Sequence, residues 1–94
     1  MEIPKKLNVL GYKYKVEVSD DIIHKTEDNE VGVCYAQRQL IWVQDSQADD
    51  ARRSTFLHEL IEAVNIYMKI GLEHKQIEQL ETGLFQVLEG NKLW

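Results

Sequence analysis

The chain is 94 residues long, with 16 Asp and Glu against 11 Lys and Arg, three His, one Cys and one Pro. That length suits one globular domain and is too short for two independent cores. A net charge of −5 argues against a generic phosphate-backbone binder, because Lys5, Lys6, Lys13 and Lys15 form only a short basic stretch.

Cys34, the sole cysteine, excludes an intramolecular disulfide framework and suits a reducing compartment. No apolar run approaches the ~20 residues that span a bilayer. The opening residues MEIPKKLNVLGYKYK also lack the apolar centre of a secretory signal. The expectation is a cytoplasmic protein with neither a membrane nor a nucleic-acid partner.

In the first half, Tyr12, Tyr14, Val16 and Val18 alternate with Lys13, Lys15 and Glu17, the period of a half-buried strand. Residues 19–30 are polar and acidic and read as a loop with room for one short helical turn. His24, within it, reads as a surface residue. The runs 31–35 and 40–43 flank Ala36-Gln37-Arg38-Gln39, which predicts a hairpin with a four-residue connection. Cys34 and Trp42 read as sheet or core residues.

The pattern turns helical after Ser46. Ser46 and Asp49 have the spacing of a capping box, with Asp in place of Glu or Gln, and Asp45, Asp49 and Asp50 suit the positive end of a helix dipole. The spacing predicts a helix over 47–70 that stops at Gly71, and a second over 73–89 that stops at Gly90-Asn91. Together these elements predict an α+β fold: a short antiparallel sheet with a hairpin, packed on two C-terminal helices.

The chemistry lies in His58-Glu59-Leu60-Ile61-Glu62. His58 and Glu62 stand at i and i+4, about 40° apart around the axis, so their side chains converge as two ligands of one metal must. Glu59 is splayed from His58 by about 100°. In an H-E-x-x-H site the glutamate at this place is the general base that deprotonates the attacking water. Here Glu62 replaces the second His, and a carboxylate is a legitimate zinc ligand.

A third ligand is needed, and His74 opens the second helix. Bringing it onto His58 requires the helices to cross at an angle. On the second helix Ile77, Leu80, Leu84, Val87 and Leu88 form an apolar face, and Glu81 falls inside that arc. A carboxylate there is costly unless paired or bound. Glu81 is therefore a candidate to orient a ligand imidazole from behind, and Glu78 to do the same or to be a ligand itself. The competing reading stays open. His58, Glu62, Asn65 and Lys69 lie opposite the apolar arc of Phe56, Leu57, Leu60, Ile61, Val64 and Tyr67, as a solvated helix face would.

Residues 53–63, preceded by a hairpin and followed by Ile77-Glu78-Gln79-Leu80-Glu81-Thr82-Gly83-Leu84, resemble small zincin-like metallopeptidase-domain proteins of phages and mobile elements. Many of these carry T-L-L-H-E-x-x-H/E-A, and the resemblance covers nearly the whole chain. It implies an edge strand above the active-site helix and a following helix that supplies the third ligand. Carried over, His58 and Glu62 are zinc ligands, Glu59 is the base, and the third ligand falls near His74, where relatives carry a glutamate. The activity implied is zinc-dependent hydrolysis of an amide bond in a protein or peptide. The alternative is a non-catalytic interaction or inhibitor module on the same scaffold, for which the acidic residues Asp20, Asp21, Glu27, Asp28 and Glu30 would suit a basic partner.

Overall fold

A computed structural model describes residues 2–94. Four strands and two helices follow in chain order: β1 (Lys6–Val9), β2 (Tyr12–Ser19), β3 (Gly32–Tyr35), β4 (Leu40–Gln44), α1 (Asp49–Met68) and α2 (His74–Gly90). The strands form one sheet in the order β1-β2-β4-β3. The fold is α+β, as the periodicities predict, but the sheet is mixed rather than antiparallel. β2 and β4 run parallel in the register Val16–Ile41 and Val18–Val43, while the β1–β2 and β3–β4 pairs are antiparallel. The reason is positional: the β3–β4 hairpin docks through β4, its second strand, so β4 enters between β2 and β3.

The alternation along β2 sets which face is covered. Tyr14 and Val16 are buried beside Val9, Ile41, Val43, Phe56 and Ala63, which places α1 on this face. The opposite face is covered as well. Trp42 is fully buried there, its indole N–H donating to Ser19 Oγ at 3.2 Å, with the His24 ring 5.8 Å away. His24 is thus a core residue and not a surface one. A 3-10 turn over Ile22–His24, capped by Asp21, folds it down onto the sheet, where its Nε2 meets Glu17 at 3.1 Å. Apolar Ile22 and Ile23 point outward instead.

The hairpin connection is a 3-10 turn at Ala36–Arg38, closed by Gln39 at φ 51°. α1 starts at Asp49, and Ala48 at its N-cap offers no side-chain hydrogen bond, so the Ser46 capping box does not form. Ser46 is engaged elsewhere: its N–H donates to Asp20 and its hydroxyl accepts from Gln44. α1 ends two residues before the predicted stop, because Lys69 already takes the left-handed conformation ahead of Gly71. Asn65 fastens the connection to α2: its Nδ2 donates to the Leu72 carbonyl and its Oδ1 accepts from the Leu72 N–H.

α2 packs antiparallel to α1, tied by Arg53 to Glu89 at one end. Only Ile77 of its apolar face is fully buried; Leu80, Leu84 and Val87 remain exposed. Among the described residues no helix is long and apolar enough to cross a membrane.

Candidate metal centre

The packing of α2 on α1 covers the side of α1 that carries His58. The His58 side chain is only 14% exposed, so it is not part of a solvated face. Its Nδ1 lies 2.7 Å from Glu81 Oε1, and Ser54 Oγ donates to the other oxygen of the same carboxylate. A carboxylate is acceptor-only, so it holds the imidazole proton on Nδ1 and leaves the Nε2 lone pair free. Position 81 is where the sequence places an acid within an apolar arc, and this bond is the partner that arc demands.

The His74 ring lies 5.3 Å from the His58 ring, centroid to centroid. Donor atoms of His58, Glu62 and His74 all lie within 4.8 Å of one another. His74 sits on the rim, with its Nε2 2.9 Å from Glu78 Oε1. The structure therefore brings His58, Glu62 and His74 together, with Glu81 behind the first and Glu78 beside the last.

Glu59 projects to the other side of the pair, toward β3. It is 7% exposed, and its carboxyl has no hydrogen-bond partner among the described residues. Burial, helped by the nearby charges of Glu62, Glu30 and Glu81, pushes its pKa up to about 8. Room for it comes from Gly32: a Cβ built there would stand 2.5 Å from Thr55 Cγ2 and 3.1 Å from Glu59 Oε2. Nothing in the sequence marks Gly32 as part of the site, since its role depends on β3 lying directly over α1.

These groups open into one cleft of about 680 Å³, lined by β3, the loop before it and the facing sides of α1 and α2. β3 is the outer strand of the sheet and forms one wall. Glu27 and Glu30 extend that wall from the preceding loop. Partial burial works against the ionised form of Glu30. Donors from Thr26 Oγ1 and the Thr26 and Glu27 N–H groups outweigh it and hold the carboxyl below its ordinary value. Cys34 also borders the cleft, but burial and then the charge of Glu59 push its thiol up to about 12, so it is no nucleophile at neutral pH.

A second group of potential donors, Glu17, Asp21 and His24, lies on the far face of the sheet. Ser19, His24 and the Ile23 N–H already use its oxygens, and that suffices to explain it as the clasp over Trp42. Comparison with protein-family models, with curated proteins and with solved structures found no match to this chain.

Proposed function

We propose that the chain is a zinc-dependent, metallopeptidase-like hydrolase acting on an amide bond of a protein or peptide. The observation that carries this reading is the convergence of His58, Glu62 and His74 donors within 4.8 Å, beside a buried carboxyl that faces the same cleft. Two imidazoles and one carboxylate fit zinc, and this inventory leaves a position for a reacting group. When bound, zinc supplies Lewis-acid polarisation of a carbonyl and eases deprotonation of a water.

The chain's own residues do the rest. Glu81 fixes the tautomer and direction of His58 through Nδ1. Glu59 accepts the proton of the attacking water and delivers it to the departing amine nitrogen. Its raised affinity for protons supports that role, since a general base works best near the ambient pH. β3, with one edge unpaired in the sheet, offers backbone groups to an extended peptide. The reading places the protein in the cytoplasm, where a free Cys34 is at home.

The test is zinc stoichiometry and peptidase activity in two variants. Glu59→Gln should bind zinc like the wild type and lose hydrolysis, because an amide cannot accept the proton. His58→Ala should lose both. Equal loss of zinc in the two variants would make Glu59 a ligand and refute the assignment. A wild type that takes up no stoichiometric zinc would refute the hydrolase and favour a non-catalytic module.

A further inference from the structure

We infer that a second copy of this chain docks on the outward face of α2, in an antiparallel pair of α2 helices about a twofold axis between Gly83 and Leu84. The inference does not use the hydrolase reading, because that face turns away from the cleft.

At 100° per residue, Leu80, Gly83, Leu84 and Val87 share an outward arc of about 100°. The three apolar side chains in it remain 41–47% exposed. On one side the arc is flanked by Gln79 and Gln86, and on the other it turns toward buried Ile77. Every ionisable residue of the helix, from His74 to Glu89, stands more than about 100° from the centre of the row. An outward helix face is ordinarily the charged one, and 29% of this chain is charged. This face is apolar at its centre and neutral at its edge.

Three features fit a second copy as the occupant. An isologous contact sets a face against itself, so charge near the axis meets its own kind. A chain of net charge −5 pairs with itself at least cost through a neutral surface, and this row is one. The row also reads the same in both directions about a point midway between residues 83 and 84. Antiparallel pairing there sets Leu80 against the partner's Val87, and Leu84 against the partner's Gly83.

Gly83 is the third feature. A Cβ built on it meets nothing within 4 Å, so the fold of one chain has no need of glycine there. Glycine also weakens a helix interior relative to alanine. The notch that it leaves in the row receives the partner's Leu84, and symmetry makes that contact twice. A helix of 17 residues is about 25 Å long, so the contact covers roughly a few hundred Å² per copy, below the ~800 Å² of a standard interface. The pair is therefore expected in the micromolar range.

Sedimentation velocity in chelator, from about 1 to 300 µM, tests the pairing. The mean mass should rise from 11.0 kDa toward twice that value across the range. A chain that stays monomeric throughout overturns the inference. So does association that appears only with added zinc, which would run through metal bridging and not through α2. Leu84→Glu and Gly83→Gln should each weaken association by at least about 10-fold. Gly83→Gln should also keep or raise the urea midpoint at low concentration, since its side chain enters open space. Unchanged association of that variant refutes the notch and with it the inference. Leu80→Glu alone should weaken the pair, and adding Val87→Lys should restore it, because the two introduced charges meet across the axis in the antiparallel register. A double variant no tighter than Leu80→Glu overturns that register.

Discussion

Replacing Glu59 by Gln in the metal-free protein should flatten the dependence of its stability on pH. Burial and three neighbouring carboxylates raise the Glu59 pKa from 4.5 to about 8 in the folded chain. The unfolded chain returns it to its ordinary value. Between those two points the folded protein keeps a proton that the unfolded one has released. The Glu59 contribution to stability is therefore greatest at and below about pH 4.5, falls as pH rises, and levels off above about 8. The interval corresponds to a ceiling of about 5 kcal/mol, which water entering from the cleft lowers to the order of 2 kcal/mol. Glu17 and Glu30 act in the opposite sense, but their folded values lie below the ordinary one, so their contribution is lost only under more acid conditions. The window from pH 5 to 8.5 thus isolates Glu59. Urea unfolding in the presence of chelator, followed by the fluorescence of buried Trp42, measures the slope. Parallel slopes for the wild type and Glu59→Gln would refute the reasoning, because they would mean that Glu59 is solvated and ionised in the fold.

Glu81→Gln should weaken zinc binding by about 10–100-fold in titration calorimetry while the fold persists, because the imidazole of His58 loses its anionic acceptor. Gly32→Ala should cost about 1–3 kcal/mol in urea unfolding, since its Cβ would stand 2.5 Å from Thr55 Cγ2. Adding Thr55→Ser removes that methyl and should recover part of the loss; no recovery would refute the contact as the cause. Cys34 should react with an aromatic disulfide reagent at pH 8 far more slowly in the native protein than in urea, because its thiol is pushed up to about 12.

Much of the scaffold is legible in the sequence because it follows from local periodicity. The alternation at Tyr12–Val18, the two apolar runs around Ala36–Gln39, and Gly71 between two helical patterns each speak for themselves. The β2–β4 pairing is not legible. Strand order is a property of the whole chain, and no residue in either strand announces a parallel neighbour. His24 escapes for a related reason: its sequence neighbours are acidic and exposed, and only the return of the segment across Trp42 buries it. Ser46 misleads because Asp20 and Gln44, distant or adjacent in sequence, compete for its hydrogen bonds. At the candidate site, the spacing of His58 and Glu62 and the misplaced acid at Glu81 can be seen in one dimension. Gly32, Glu27 and Glu30 cannot, since what joins them to Glu59 is the stacking of β3 over α1.

The strand order has a consequence for how the molecule assembles. The central strand β4 is made after both of its neighbours, β2 and β3. During synthesis β1 and β2 can close as a hairpin at once, whereas β3 has no partner until the chain has reached Gln44. The β2–β4 pairing then closes a loop holding the whole acidic segment, an entropic cost met before the reward of burying Trp42 arrives. The cleft wall is thus among the last parts of the sheet to form. α1, whose local contacts need no such closure, is made later still but can form fast, and its docking fixes Glu59 beneath a strand only just in place.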